Sequence, residues 1–130
     1  MKEMTVTFPG GKRVEAAYKD FVIKTDQPVY AGGEGTAPAP FDLFLASIGA
    51  CAGFYLLSFC QSRGIPTEEG SVVMRTHKDP ERKMIDRITI ELNLPPGFPE
   101  KYHKAVIKAV DSCPVKAHIL TPPAFEIHIV

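Results

Sequence analysis

The stretch PFDLFLASIGACAGFYLLSFCQSR, residues 40–63, governs how the rest of the chain is interpreted. It holds no charged residue between Asp42 and Arg63, and Gly64 follows it as a stop signal for a helix. Pro40 suits the first turn of a helix, where the missing N–H costs nothing. The stretch therefore predicts one long helix over residues 40–63 that is apolar on nearly every side.

An uncharged run of about 20 residues is long enough to span a membrane. Polar residues dilute this run, however, among them Ser47, Ser58 and Gln61, and the sequences on both sides look like the strands of a water-soluble domain. We therefore expect a central helix that is buried in a protein core, and no association with a membrane.

The segments on either side of this helix predict strands and shorter helices. In residues 84–94, Ile88, Ile90 and Leu92 alternate with polar residues, which is the pattern of a strand with one solvated face. The predicted strands cover residues 5–8, 13–18, 21–24, 71–77, 84–94 and 124–130, and the predicted shorter helices cover 100–112 and 113–120. Because strands and helices are segregated along the chain, we predict an α+β fold and a single domain over residues 1–130.

Charge and terminal sequence restrict the function and the compartment. The 15 basic residues balance 15 acidic ones, so there is no broad positive field to hold a phosphate backbone, and we expect no nucleic-acid partner. The amino-terminal sequence MKEMTVTF carries an acidic residue where a secretory signal would need an apolar run. We therefore expect a cytoplasmic protein, whose three cysteines serve thiol chemistry rather than structural disulfides.

The three cysteines differ in their surroundings. Cys51 lies in the small-residue run SIGACAG, where a buried cysteine that acts as a small hydrophobe also remains an open interpretation. Cys113 precedes Pro114, so its sulfur is expected at the start of a helix, and the nearby Lys116 would add to a lowered thiol pKa. Cys60 follows Cys51 by two and a half helical turns, so the two side chains point in opposite directions, and we interpret Cys60 as structural.

The sequence predicts neither a metal centre nor a cofactor site. There is no C-x₂-C pair, and the four histidines are scattered along the chain. The glycine-rich segment Gly32-Gly33-Glu34-Gly35 lacks the Lys-Ser/Thr that follows in a phosphate-binding loop, so it predicts a turn instead.

Two segments together resemble the OsmC/Ohr family. One is GGEGTAPAPFDLFLASIGAC, in which a glycine-rich loop leads into Pro40, Leu43 and Cys51, and the other is SCPVKA, in which Cys113 and Pro114 open a short helix. The order of elements is similar along nearly the whole chain. The resemblance implies an OsmC-like fold of antiparallel sheets wrapped around a long buried central helix. It also implies an intertwined homodimer with two active sites at the subunit interface.

The same resemblance implies the roles of two cysteines. Cys51 matches the peroxidatic position, whose thiolate attacks the O–O bond of an organic hydroperoxide and becomes a sulfenic acid. Cys113 matches the resolving position, which traps that sulfenic acid as a disulfide. A dithiol such as a lipoyl group then restores both thiols.

Two further groups are implied beside the thiolate, a cation that lowers the pKa of Cys51 and a carboxylate that orients the cation. In the family an arginine follows a Gly-Gly turn near the amino terminus. Here Lys12 and Arg13 follow such a turn, and we favour Arg13 because its planar guanidinium can hold a thiolate and a carboxylate together. Phe41 stands where the family has a glutamate, so Glu34 is the candidate substitute. The predicted catalytic set is Cys51, Cys113, Arg13 and Glu34.

The resemblance thus implies a thiol-dependent peroxidase for organic hydroperoxides, with Phe41, Phe44 and Tyr55 favouring apolar substrates. Two alternatives stay open. One is a dimer without enzymatic activity that binds a small apolar or thiol-containing ligand in the same cleft, which the Phe41 substitution favours. The other is a redox sensor that forms a reversible disulfide with little turnover.

Overall fold

The computed structural model of the protein describes residues 3–130. Met1 and Lys2 lie outside the described residues. They belong to the amino-terminal segment MKEMTVTF, on which the expectation that the chain is not exported depends. The chain forms two compact units, Met1–Ala46 and Ser47–Val130. Antiparallel strand pairs and helices occupy separate segments of the chain, which confirms the predicted α+β fold.

The first unit contains a meander of three antiparallel strands, in the spatial order β1-β2-β3. The strands are β1 (Thr5–Gly10), β2 (Arg13–Tyr18) and β3 (Phe21–Thr25). The turn between β1 and β2 needs a glycine, because Gly11 has a φ of 58°, which most residues adopt only at a cost. The three strands predicted for this region are confirmed.

A loop that closes around one buried carboxylate follows β3. Asp26 is 1% exposed, and its Oδ2 accepts hydrogen bonds from the Thr36 hydroxyl at 2.6 Å, the Thr36 N–H at 3.1 Å and the Glu34 N–H at 3.3 Å. The Gln27 N–H donates to Oδ1 at 2.7 Å. The hydrogen bond from the Thr36 hydroxyl, together with the N–H donors, lowers the pKa of Asp26 to about 2. The glycine-rich segment is the predicted turn, and a Cβ on Gly33 would lie 2.0 Å from the Gln27 carbonyl oxygen.

We expect Asp26→Asn to lower the Tm by about 5 °C or more, because an amide nitrogen would face N–H donors and the remaining bonds would lose their charge. The folded-state pKa of about 2 lies below the ordinary value of 3.8. The stabilisation by Asp26 is therefore present above the ordinary value and is lost as the pH falls through about 2. Thermal unfolding of both chains from neutral to strongly acidic pH measures this, and the Tm difference should shrink on acidification. The control is Asp20→Asn, at an exposed turn carboxylate in the same unit, and an equal loss of Tm there would contradict the assignment.

The long helix is confirmed as α1 (Pro40–Gln61). Asp42 stabilises its start, because its Oδ2 accepts the Ala39 N–H at 3.0 Å. After its last turn, Gly64 adopts a φ of 65°, which is the left-handed conformation that ends many helices. By length and composition α1 is able to cross a membrane, but a core helix meets the same criteria and one such helix is weak support for a membrane span.

The second unit covers one face of its part of α1. The buried residues of the helix recur at intervals of three or four and are Ile48, Ala52, Leu56, Phe59 and Cys60. On the remaining surface, Phe54 is 58% exposed and Leu57 is 37% exposed. The charge-free sequence predicted that the helix is buried on nearly every side. In the single chain, this part of α1 is buried on one side.

The other elements of the second unit follow α1 in the predicted order. β4 (Ser71–Lys78) and β5 (Ile85–Asn93) form an antiparallel sheet, and α2 (His103–Asp111) and α3 (Pro114–Leu120) come after it. The core joins the buried face of α1 to α2 and to the apolar face of the sheet. Its buried members are Ala52, Leu56, Phe59, Cys60, Val106 and Val110, against which Val72, Ile90 and Leu92 of the strands pack.

The predicted last strand, residues 124–130, does not form in the single chain. The segment has no strand structure, and Phe125, Ile127 and Ile129 are almost fully exposed. Its apolar alternation is that of a strand, but a strand forms only where a neighbouring edge completes its hydrogen bonds. In the described part of the second unit the sheet consists of β4 and β5, and neither pairs with this segment.

Candidate active site

Cys51 lies in the middle of α1, where its neighbours are small. Gly49 and Gly53 flank it at a distance of two residues on either side, and a Cβ on Gly49 would lie 3.9 Å from the Sδ of Met74 in β4. The small side chains leave the Cys51 thiol partly accessible rather than enclosed. This position lets a second group approach the sulfur closely.

Cys113 occupies the junction between α2 and α3. It is the residue that immediately precedes α3, and Pro114 takes the first position of that helix, as the sequence predicted. Cys113 is only 4% exposed. The thiol between the two helices is therefore buried in the protein and not exposed to solvent.

The structure places the Cys51 and Cys113 side chains close enough in the second unit for each to shift the pKa of the other. Burial, followed by the interaction with Cys113, raises the pKa of Cys51 above its ordinary value. Burial also acts to raise the pKa of Cys113. It is outweighed by the interaction with Cys51, the backbone N–H groups of Lys116 and Val115, and the charge of Lys116, so the pKa of Cys113 is lowered.

These directions describe the second unit by itself. Groups of the second unit raise the pKa of Cys51 and lower that of Cys113, while the lowering of the Cys51 pKa by Arg13, a residue of the first unit, stays a prediction. The Val115 N–H acts on both sulfurs, whereas the Lys116 N–H and the Lys116 charge act on Cys113.

An apolar cavity of about 430 Å³ lies beside Cys113 in the second unit. Cys113 contributes to its wall, and most of the remaining wall is aliphatic. The lining residues are Ile48, Ala52, Ile88, Ile90, Leu92, Ile107, Val110, Asp111, Cys113, Lys116 and Ile119. A cavity of this size and character suits the hydrocarbon part of a small organic molecule.

Two charged residues of the cavity wall form an ion pair. The Lys116 ammonium of α3 contacts the Asp111 carboxylate at the end of α2. The sequence predicts that Lys116 acts on the nearby Cys113 thiol, but it does not predict the ion pair between Lys116 and Asp111. The two residues are five positions apart and separated by Cys113 and Pro114. At this spacing the sequence does not distinguish a lysine that pairs with the aspartate from a lysine whose side chain is solvated.

Cys60 is fully buried and belongs to the hydrophobic core, consistent with its predicted structural role. Burial raises the pKa of its thiol, so it stays protonated. All three cysteines are free thiols in this structure.

The predicted electrostatic residues lie in the first unit, around the turn between β1 and β2. The Arg13 Nε donates to the Gly10 carbonyl oxygen at 3.2 Å. The Glu34 carboxylate lies beside the same turn, since a Cβ on Gly11 would be 3.5 Å from its Oε1. Lys12 also reaches the glycine-rich loop, where a Cβ on Gly32 would lie 3.5 Å from its Cε. The loop and the turn thus gather Lys12, Arg13 and Glu34 in one region, and their action on Cys51 stays a prediction.

Phe41, at the position where the resembled family has a glutamate, lies in the first turn of α1 and is 55% exposed. Its ring centroid is 5.5 Å from that of Phe44. Over residues 3–130, no group of three or more His, Cys, Asp or Glu side chains is placed to hold a metal ion.

Comparison with known proteins identifies the family that the chain matches. A family model described as OsmC-like protein matches residues 33–128. Comparison with curated proteins gave no match.

Several solved structures share the fold. A protein of Psychrobacter arcticus 273-4, provisionally described as an osmotic stress induced and detoxification response protein, aligns at a TM-score of 0.73 and 22% identity over 90% of this chain and 87% of that one. An OsmC like protein from Mycoplasma pneumoniae aligns at 0.70 and 15% over 94% and 89%. An organic hydroperoxide resistance protein, OsmC, from Legionella pneumophila aligns at 0.56 and 20% over 92% and 88%. At these identities the likeness establishes the fold and not the activity.

Proposed function

Because the chain belongs to the family of OsmC-like proteins, we propose that it is a thiol-dependent peroxidase that reduces organic hydroperoxides. Cys51 is the attacking thiol and Cys113 the resolving thiol. The observation that carries the proposal is the proximity of these two thiols. A two-cysteine peroxidase needs such proximity, because the second sulfur must reach the sulfenic acid formed on the first.

The proposed reaction has three steps. The Cys51 thiolate attacks one oxygen of the O–O bond, becomes a sulfenic acid and releases an alkoxide, which takes up a proton to leave as the alcohol. The Cys113 sulfur then attacks the sulfenic acid, so that the Cys51–Cys113 disulfide forms and the hydroxyl group leaves as water. An external dithiol, such as a lipoyl group, reduces the disulfide to two thiols and is itself oxidised. A cytoplasmic location would supply such a reductant.

The cavity beside Cys113 supports an apolar organic substrate rather than hydrogen peroxide. Its aliphatic wall, which includes Ile88, Ile90 and Ile119, can bury the hydrocarbon group of a hydroperoxide. Hydrogen peroxide has no such group to bury. The name of the similar Legionella pneumophila protein points to the same class of substrate.

We further propose that the chain is a homodimer, as the family resemblance implied. The support is apolar surface that one chain leaves uncovered in both units. It includes Phe8 and Phe21 in the first unit and Phe54 and Ile127 in the second. Sedimentation at micromolar concentration is expected to give the mass of two chains. A mass of one chain at all concentrations would contradict the dimer.

A second candidate is favoured by the raised pKa of Cys51 and by Phe41 at the family's glutamate position. A dimer without enzymatic activity could use the same cavity to bind a small apolar or thiol-containing ligand. Such a protein needs no ionised thiol. A redox sensor, by contrast, would form the Cys51–Cys113 disulfide with little turnover.

The experiment that tests the peroxidase measures loss of cumene hydroperoxide and of hydrogen peroxide, with a dithiol reductant in excess. The proposal requires catalytic loss that depends on the protein and is faster for cumene hydroperoxide. Loss of one equivalent that stops with an intramolecular disulfide would instead favour the sensor. No loss at all would leave the ligand-binding protein as the better account of the cavity.

A further inference from the structure

The exposed side of α2 carries three lysines in a row. Lys101 belongs to the single 3₁₀ turn before the helix, and Lys104 and Lys108 belong to the helix itself. All three residues are exposed. Spacings of three and four residues place them along one side of the helix, which we call the α2 lysine face. The buried residues of α2, which lie on the opposite side, are Val106 and Val110.

The positive charge of the α2 lysine face is not neutralised by ion pairs. Within residues 3–130, none of its three lysines takes part in one. Residues 100–120 contain four lysines against two carboxylates, Glu100 and Asp111, and Asp111 is paired with Lys116. Because the whole chain holds 15 basic and 15 acidic residues, this charge is a local concentration. Such a patch attracts a partner of opposite charge and speeds its association.

The α2 lysine face borders the apolar cavity beside Cys113. Ile107 lines that cavity, and along the helix it lies three residues after Lys104 and next to Lys108. It is 62% exposed, so it belongs to the mouth of the cavity. On α3, Ile119 also lines the cavity and is 44% exposed. Exposed aliphatic groups beside charged ones are the composition of a protein-binding surface with a polar rim.

Reduction of the proposed Cys51–Cys113 disulfide needs access through this mouth. Cys113 is 4% exposed and forms part of the cavity wall, so a dithiol reaches it by entering the cavity. A dithiol on the arm of a carrier protein enters only while the surface of the carrier lies against the mouth. Because such redox contacts are small and short-lived, complementary charge around the mouth contributes more to their rate than buried area does.

From this arrangement we propose that the α2 lysine face is the docking surface for an acidic protein that carries the dithiol reductant. This role rests on the proposed peroxidase function, in which the disulfide forms, and it adds the kind of partner that reduces the disulfide. An anionic membrane fits the face less well, because helices that lie on membranes turn a broad apolar side to the lipid. The apolar side of α2, with Val106 and Val110, is buried in the core instead.

Reduction by the docked partner proceeds by two thiol–disulfide exchanges. One sulfur of the reductant, as a thiolate, attacks the Cys113 sulfur, which lines the cavity, and the S–S bond breaks so that Cys51 leaves as a thiolate. The second sulfur of the reductant then attacks the first, closes the disulfide of the reductant and releases Cys113 as a thiolate. Two electrons pass to the protein, and the two protons of the reductant end on Cys51 and Cys113.

The test measures reduction of the disulfide by itself. The protein is oxidised with diamide, so that the disulfide forms without a peroxide, and the excess diamide is removed. The reductants are dithiothreitol and two synthetic peptides with a Cys-x-x-Cys dithiol, one flanked by glutamates and the other by glutamines. Rapid acid quenching and mass spectrometry give the rate at which the disulfide is lost. We expect the rate with the glutamate peptide to fall at least about tenfold when salt is raised to about 0.5 M, whereas the rate with the glutamine peptide stays unchanged.

The α2 variant combines Lys101→Gln, Lys104→Gln and Lys108→Gln in one chain and so removes the charge of the face. At low ionic strength, the glutamate peptide should reduce its disulfide at least about tenfold more slowly than that of the wild type. Its rates with the glutamine peptide and with dithiothreitol should match those of the wild type, because neither reductant brings a negative surface to the lysines.

The matched control variant combines Lys19→Gln, Lys78→Gln and Lys83→Gln, which are exposed lysines away from α2. It changes the net charge by the same amount and should keep the wild-type rate with every reductant. In a second control, wild-type and α2-variant protein are each mixed with vesicles that contain the anionic lipid phosphatidylglycerol. We expect both proteins to stay in solution when the vesicles are sedimented.

Each outcome decides the role of the α2 lysine face. Slower reduction by the glutamate peptide in the α2 variant alone supports the docking surface. Equal slowing in the control variant, or no slowing in either, overturns it. Sedimentation of the wild type with the vesicles, but not of the α2 variant, assigns the face to a membrane and overturns it as well, as does failure of diamide to form the disulfide. Absence of cumene hydroperoxide turnover, with charge-dependent reduction intact, overturns the peroxidase and leaves the docking surface supported.

Discussion

Cys51→Ser is expected to lower the rate of cumene hydroperoxide reduction by at least about a thousandfold. A serine hydroxyl is not ionised near neutral pH and cannot form a sulfenic acid. The variant therefore loses the attack on the peroxide and, with it, the disulfide that Cys113 would form. Peroxide loss in the presence of excess dithiol, measured for equal concentrations of wild-type and variant protein, checks this result.

The control for this prediction is Cys60→Ala, which removes a thiol from the same helix at a core position. It should keep the wild-type rate, provided that the protein remains folded by circular dichroism. Cys113→Ser should consume one equivalent of peroxide and then stop, because its sulfenic acid has no second thiol to resolve it. Equal rates for the wild type and Cys51→Ser would contradict the assigned mechanism.

The sequence predicted the helices and most strands because their signals are local. The charge-free run, the proline at its start and the Gly64 stop all act within a few residues of α1. In the same way, Cys113 and Pro114 predict the start of α3 from two adjacent residues. Such signals depend on backbone geometry, which neighbours in sequence determine.

The candidate site depended on contacts between distant residues, and these were predicted less completely. The pairing of Cys51 with Cys113 came from a family resemblance, since the residues around each thiol do not identify the other. The direction of their pKa shifts depends on which sulfur receives the N–H groups of α3, and this requires coordinates. Asp26 carried no local signal, because a carboxylate before a glycine-rich loop looks the same whether it is buried or solvated.

Residues 124–130 are the opposite case. Their sequence clearly predicts a strand, but the single chain does not form that strand. The alternation of Phe125, Ile127 and Ile129 with other residues is a strand pattern. The sequence of a strand, however, does not identify the neighbouring strand with which it forms hydrogen bonds. The exposed face of α1 is a similar case, since its apolar residues predict burial without saying what covers them. Both observations are accounted for by the proposed homodimer, in which a second chain supplies the missing contacts.

Phe59→Ala is expected to lower the free energy of unfolding by about 3–5 kcal/mol, the usual range for removing a buried phenylalanine. Phe59 is 7% exposed, and its ring centroid lies 6.0 Å from that of Phe98 and 5.8 Å from that of Tyr102. The Arg63 guanidinium carbon lies 3.6 Å from the same centroid. The substitution would leave a cavity in the core and remove three ring contacts at once. Such a loss is a large part of the stability of a small domain, so the variant should unfold at much lower denaturant concentration.

The companion variant Phe59→Leu separates the loss of volume from the loss of the ring. Leucine fills much of the same space, so we expect a cost of under about 2 kcal/mol, mostly from the aromatic and cation–π contacts. Both variants are compared with the wild type by denaturant unfolding at one fixed protein concentration, because the stability of a dimer depends on concentration. Equal losses in Phe59→Ala and Phe59→Leu would mean that the ring contacts with Phe98, Tyr102 and Arg63 stabilise this core more than its packed volume does. A loss below about 1 kcal/mol in Phe59→Ala would contradict the placement of Phe59 in a close-packed core, because removing a well-packed ring there cannot be cheap.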